Sequence, residues 1–142
     1  LKIPGKDRGG SLLMHEPLDE NTLSEYSPLI LAYIGDAVFE LLVRTKIVSA
    51  GQGRIKEIHL HTVELVKADH QAYIVRQIFD ELSAEEQDII RRGRNTRSNP
   101  PKNANMQAYR MSTGFEALLG YLYLKGDKER LIYLVNRALE AE

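Results

Sequence analysis

The sequence predicts a single all-α domain of six or seven helices. Three observations carry that expectation. Apolar residues recur at three- and four-residue spacings, while the two-residue alternation of a half-buried strand is almost absent. Proline and glycine clusters fall between those periodic stretches. The chain has 142 residues, 43% hydrophobic and 27% charged, the profile of one globular domain. A domain of that size buries roughly two-thirds of its unfolded surface.

Residues 1–13, LKIPGKDRGGSLL, show no period and precede the first methionine, Met14. They are expected to be a disordered or non-native N-terminal segment, leaving 14–142 as the domain. A long helix is expected after Ser27-Pro28, proline being favoured in a first turn. It should run through Val48 and end near Ala50-Gly51, with a kink or break near Gly35 left as an open alternative. A second helix covers Ile55 to Lys67 on Ile58, Val63, Leu65 and Val66, and a third covers Asp69 to Leu82. Ser83-Ala84-Glu85-Glu86 reads as a capping box opening a helix to Arg94. Asn95 to Asn105, NTRSNPPKNAN, is a loop because its two prolines and its Asn and Ser residues oppose a helix interior. A long apolar helix follows from Met106 to Leu124, stopped by Lys125-Gly126-Asp127. The last runs from Lys128 to Leu139 with Leu131, Leu134, Val135 and Leu139 as its core stripe.

Composition excludes several classes. There is no cysteine, so disulfide frameworks and thiolate metal sites are out. No run reaches the roughly 18 consecutive apolar residues of a membrane span, and no signal peptide is recognisable, so the expected location is the cytoplasm. The net charge of −1 conceals an asymmetry. Asp80 to Asp88 holds five acids and no base, and Ile89 to Phe115 holds six Lys or Arg and no acid. The local basic stretch says more about a partner than the total does.

Residues 29–43, LILAYIGDAVFELLV, are apolar or small except for Asp36 and Glu40. An ionised group buried there costs several kcal/mol unless it is paired or faces a cleft. In a helix Asp36 neighbours Ala32, Tyr33, Phe39 and Glu40, with Gly35 adjacent, so another backbone can come close. The same pattern returns 80 positions later in STGFEALLGYLYL, where Glu116 is the only acid and neighbours Ser112, Thr113, Leu119 and Gly120. If the two small faces meet, Asp36 and Glu116 share a pocket. Like charges so close raise each other's pKa unless a cation neutralises them, and hard carboxylate oxygens suit Mg²⁺. Each acid taken singly also has a structural reading. Asp36 could cap a helix starting beside Gly35 or bond Tyr33, and Glu116 could pair with an arginine such as Arg110.

Arg91, Arg92, Arg94, Arg97, Lys102 and Arg110 surround the Asn- and Pro-rich loop. Arginine forks match phosphate oxygens, while Asn donates to phosphates or ribose hydroxyls. Pairing of some arginines with the preceding acidic run is the alternative. With only Tyr109 as an aromatic, duplex backbone fits this stretch better than stacked single strands. His59 and His61, two apart, point in different directions on a helix, and His15 and His70 have no evident metal partners. Neither a nucleophile elbow nor a phosphate-binding or dinucleotide glycine motif is present.

Leu31-Ala32-Tyr33-Ile34-Gly35-Asp36-Ala37-Val38 resembles the signature helix of the ribonuclease III catalytic-domain family, and Phe115-Glu116-Ala117-Leu118-Leu119-Gly120 resembles its second acidic motif. Arg92-Gly93-Arg94-Asn95, Pro101-Lys102-Asn103 and Tyr109-Arg110-Met111-Ser112-Thr113 are similar to the compact Mini-III branch, with the likeness running from roughly Leu23 to Ala141. The resemblance implies Mg²⁺-dependent cleavage of double-stranded RNA to 5′-phosphate and 3′-hydroxyl ends. It also implies a homodimer with one active site per subunit and the duplex in the valley between. For the compact branch it implies maturation of the duplex ends of the large-subunit (23S) ribosomal RNA precursor. That branch lacks a separate double-stranded-RNA-binding domain, and a ribosomal protein presenting the substrate is among the expected partners.

Carried over by position, Asp36 and Glu116 become the catalytic acids and metal ligands, with Glu40 assisting through a water. Arg91, Arg92, Arg94, Asn95, Arg97, Lys102, Asn103 and Arg110 become the RNA contacts. Two departures matter. The longer enzymes have Glu where this chain has Ala32 and Asp where it has Thr113, which points to one tightly held Mg²⁺ per site and leaves open a second bound largely by RNA. Two other classes stay open, a non-catalytic double-stranded-RNA-binding module in ribosome assembly and an all-α phosphohydrolase acting on nucleotides. Retention of both acids speaks against the first, and the lack of an adjacent His-Asp pair against the second.

Overall fold

The computed structural model describes residues 15–51, 53–96 and 99–140. The N-terminal segment 1–13, Met14 and Arg97 lie outside the described residues. Seven α-helices and no strand make up the described chain: α1 (Glu20–Ser24), α2 (Pro28–Ser49), α3 (Ile55–Val66), α4 (Ala68–Ile78), α5 (Ala84–Arg94), α6 (Met106–Lys125) and α7 (Lys128–Glu140). The domain is all-α, as the spacing predicts.

Helices α2, α5 and α6 each start on a side chain that satisfies a first-turn amide. Ser27 Oγ accepts from the Ile30 amide with Pro28 in the first turn, and Asn105 Oδ1 accepts from the Ala108 amide. The Ser83–Glu86 capping box forms in both directions, at 3.1 and 2.9 Å. α6 stops where Gly126 adopts a left-handed conformation and donates to the Leu122 and Tyr123 carbonyls.

α6 is the central helix. Phe115, Ala117, Leu118 and Leu119 are fully buried, and α2, α5 and α4 pack around them. Its most extensive partner is α2, against which Phe39 meets Phe115 edge to face at 5.6 Å. The approach is set by glycine. A methyl built on Gly35 would lie 1.7 Å from the Glu116 carbonyl oxygen, and one on Gly120 would lie 1.9 Å from that of Leu31. A second close approach joins α5 to α6, where a methyl on Gly93 would lie 2.6 Å from the Gly114 Cα.

One alternative is closed and two elements differ from expectation. α2 is unbroken through Gly35. That glycine serves contact with α6 rather than a bend, and the flanking residues supply enough helix propensity to carry it. The helix expected to reach Leu82 ends at Ile78, and Phe79–Glu81 form a 3₁₀ turn instead. There Gln87 Nε2 donates to the Phe79 carbonyl at 2.8 Å, satisfying an acceptor that the α-helix would otherwise have used. The short α1 was not expected. Asp19 caps it by accepting from the Thr22 amide at 2.8 Å, and Leu23 anchors it in the core.

The glycine crossing should tolerate no methyl. Gly35→Ala is expected to destabilise the domain by about 3 kcal/mol, because helix backbones must separate to admit it. Such a loss lowers the melting temperature by about 10 °C. Ala37→Ser, on the exposed side of the same turn, should shift it little. Thermal unfolding of the two variants beside the parent measures the difference.

Candidate active site

The crossing of α2 and α6 decides where the two acids sit. Gly35 lies against the backbone of Glu116, so the next residue, Asp36, stands beside the Glu116 side chain. The two carboxyl groups are near enough for Asp36 to raise the pKa of Glu116. Burial is the largest force on Glu116, followed by the negative charge of Asp36, and together they push its carboxyl up to about 8. A hydrogen bond from Gln71 pulls the other way.

The structure corrects the expected burial of Asp36. Asp36 is exposed, and Glu116 is the half-buried member. Position 36 lies one residue around the helix from the glycine that makes the contact, at the margin of the buried stripe. The continuous helix leaves no N-terminus at Gly35 for Asp36 to cap, and Tyr33 is 83% exposed. Glu116 pairs with Asp36 and Gln71 instead of Arg110.

Glu40 lies one helical turn beyond Asp36, half-buried and 3.6 Å from Arg44. Among the described residues no group of three or more His, Cys, Asp or Glu side chains is arranged to hold a metal, so Glu40 does not complete a trio with Asp36 and Glu116. Ala32 and Thr113 are both buried, and the Thr113 hydroxyl donates to the Tyr109 carbonyl at 3.1 Å. The oxygen donors that converge here are therefore two carboxylates.

Gln71 was missed in the sequence. It is 2% exposed on α4, and its Nε2 donates to the Val66 carbonyl at 2.8 Å and to Glu116 Oε2 at 3.2 Å. A signal existed. Ile74, Val75 and Ile78, at three, four and seven residues beyond, are all buried, so Gln71 is a polar residue on a core stripe.

The end of α5, which carries part of the basic set, meets α6 close to this crossing. The Gly93–Gly114 contact brings the end of α5 against α6 two residues before Glu116. Arg94 and Asn95 follow that contact, and Arg94 Nε donates to Asn95 Oδ1 at 3.4 Å. Lys102, Asn103 and Arg110 are exposed, and neither Lys102 nor Arg110 has an ion pair among the described residues. Two arginines have local partners, of which only Arg92 pairs with the preceding acidic run. Arg92 bonds Asp88 at 3.1 Å, and Arg91 lies 5.3 Å over the Phe79 ring. The histidines serve packing: His70 reaches the Ala138 carbonyl, and His15 lies against the Tyr123 ring.

Comparison with known proteins adds the following. Residues 29–127 match the family model described as Ribonuclease III domain. The chain is 53% identical over 136 residues to a protein named Mini-ribonuclease 3 from Thermoanaerobacter sp. strain X514, covering 95% of this chain and 96% of that one. It is 48% identical to the Mini-ribonuclease 3 of Clostridium tetani, covering 82% of this chain and 78% of that one. A crystal structure of a protein from Fusobacterium nucleatum superposes with a TM-score of 0.74 at 28% identity, covering 82% of this chain and 93% of that one.

The raised pKa of Glu116 gives a pH signature. In metal-free protein, folded Glu116 keeps a proton that the unfolded chain, with an ordinary value of 4.5, has lost. The contribution of this group to folding stability should thus be full below 4.5, fall as the pH rises, and be lost above about 8. Glu116→Gln should remove that decline. Melting temperatures of both proteins in EDTA across this range test it, and an undiminished slope in the variant would place the titration elsewhere.

Proposed function

The chain belongs to the ribonuclease III domain family, which makes it an endoribonuclease acting on double-stranded RNA, and from that premise we propose that Asp36 and Glu116 are its catalytic pair. The observation that carries the assignment is the meeting of the two carboxyls at the glycine crossing of α2 and α6.

The family generally uses divalent metal ions, and the residues here suit one. Both donors are hard carboxylates, and one is open to water. The other holds a proton that a cation would displace, because burial and Asp36 disfavour its charge. Mg²⁺ is the ion we assign; when bound, it supplies an activated water and stabilises charge on the phosphodiester. Asp36, exposed at the rim, meets the substrate side of the pair, while Glu116 forms the floor and takes its orientation from Gln71. Glu40 contributes through a water, within reach once it leaves the exposed Arg44 pair. With Ala32 and Thr113 in place of acids, one ion per site is the economical arrangement.

Arg94, Asn95, Lys102, Asn103 and Arg110 position the duplex through phosphates and ribose hydroxyls. Arg92 joins them at little cost, since an exposed pair like Arg92–Asp88 is worth at most about 1 kcal/mol. Arg91 keeps its exposed guanidinium available above Phe79. Arg97 enters the set on its place in the sequence alone. The likeness to the compact Mini-III branch supports the 23S ribosomal RNA precursor as substrate, in the cytoplasm, with a ribosomal protein presenting it. So few phosphate contacts would leave affinity for bare duplex modest and salt-sensitive.

The reading includes a homodimer through α2. Ile30, Tyr33, Leu41 and Val48 form an exposed apolar stripe on the outer side of the helix that carries Asp36. An exposed stripe of this kind suits contact between two copies about a two-fold axis. Tyr33→Lys is expected to convert a dimer to a monomer in sedimentation velocity. A dimer that persists at micromolar concentration would remove α2 from the interface.

Cleavage of an end-labelled RNA duplex at low salt tests the pair. Wild type should cut in Mg²⁺ and stop in EDTA. Asp36→Asn and Glu116→Gln should each lose about 10²-fold or more in rate, the equivalent of several kcal/mol of transition-state stabilisation. Wild-type rates in either variant would exclude that acid from the chemistry.

A further inference from the structure

Gln71 occupies a position that packing alone would fill with an apolar side chain. It is on the buried face of α4, 2% exposed, between residues that form the core. Its Nε2 makes two hydrogen bonds, to the Val66 carbonyl at the end of α3 and to Glu116 Oε2 in the middle of α6. Its Oε1 is buried with no hydrogen-bond partner among the described residues. Leaving a buried acceptor unsatisfied costs stability, and an apolar residue of the same shape would avoid that cost.

The orientation of the amide is chemically determined. A backbone carbonyl only accepts, so the 2.8 Å contact with Val66 requires the NH₂ end of Gln71 to face it. The second N–H then points at Glu116. Rotating the amide to satisfy Oε1 elsewhere would set oxygen against the Val66 oxygen. The Val66 carbonyl is itself placed by the tight corner between α3 and α4, where Lys67 is the last residue outside one helix and the first outside the next. A rigid corner therefore aims one donor at one oxygen of Glu116.

We propose that Gln71 is a positioning residue for the metal site, holding Glu116 Oε2 so that the other carboxylate oxygen faces Asp36 and a divalent cation. The proposal rests on the reading that Asp36 and Glu116 hold that cation. It explains why the core keeps a polar side chain with an orphaned oxygen. It also supplies from a neutral amide part of the ordering that additional acids would give, in a site whose converging donors number two. Ligand orientation from a neighbouring hydrogen bond commonly changes metal affinity about 10- to 100-fold.

The test uses the full chain and Mn²⁺ as the probe, with binding followed by electron paramagnetic resonance in the absence of RNA. Gln71→Met and Gln71→Leu remove the donor while filling the space. Both are expected to stay folded, with melting temperatures in EDTA equal to or above wild type, and to bind Mn²⁺ about 10-fold or more weakly. In cleavage assays kcat should fall by a similar factor while KM for the duplex is unchanged. Unchanged Mn²⁺ affinity in either folded variant overturns the proposal, as does a lowered melting temperature accompanied by an equal loss in KM and kcat. Asp36→Asn separates the two levels. If it too binds Mn²⁺ like wild type, the metal site itself is misassigned; if it binds weakly and Gln71→Met does not, only the role of Gln71 fails.

Discussion

The contact between Gly35 and the main chain of Glu116 is the constraint on which the rest of the site depends. Two helices can come this close only where neither carries a Cβ at the crossing, and Gly35 and Gly120 provide that from opposite sides. The consequence is positional. Residue 36 must follow residue 35, so its carboxyl stands beside the residue whose carbonyl touches Gly35. No loop is involved in bringing the acids together. Their separation is set by the stiffest part of the domain, with Phe39 and Phe115 locked edge to face within one turn of each acid. Catalytic geometry in general demands placement within a fraction of an ångström, which packed helices hold better than loops.

The same closeness creates an electrostatic conflict that protonation of Glu116 relieves. Glu116 cannot carry its charge readily while half-buried beside Asp36, and its pKa rises for those two reasons in that order. A divalent cation resolves the conflict differently, replacing the proton by a charge that both carboxylates favour. Metal binding and proton release are then one event, so affinity for the ion should increase with pH across the range in which Glu116 titrates. Gln71 biases the balance toward the ionised form because its N–H can only donate. Burial and hydrogen bonding thus oppose each other at one carboxyl, which keeps it near the point where a modest ligand charge decides its state.

Much of this was legible in the sequence, for identifiable reasons. Two lone acids among small residues in long apolar helices announced a close crossing with chemistry at it, and Ser83 to Glu86 announced its capping box. Exposure was harder to read. A residue within an apolar run is read as buried, yet Asp36 lies about 100° around the helix from Gly35 and emerges at the rim. The continuity of α2 was also hidden, since a glycine reads the same whether it bends a helix or admits another. Gln71 was visible as a polar residue on a core stripe, but what it touches comes from α6, 45 positions away, and no local pattern encodes that. Arg92 and Asp88 show the reverse case. Their pairing is an ordinary spacing of four on one helix, readable without any structure.

A second glycine contact ties the basic surface to the acids. Gly93 and Gly114 bring the end of α5 onto α6 just before Glu116, so Arg94 and Asn95 leave their helix close to that acid. The start of the loop that follows is anchored to the same helix that carries the acid. α6 is accordingly the common reference, bearing Glu116 on one side, receiving α2 at Gly120 and receiving α5 at Gly114. A phosphodiester gripped by residues near the end of α5 would be registered against Glu116 through one rigid body instead of through a flexible connection. In a domain with so few groups available to contact phosphate, that registration matters more than added affinity, because binding energy accelerates a reaction only when it holds the scissile bond where the chemistry occurs.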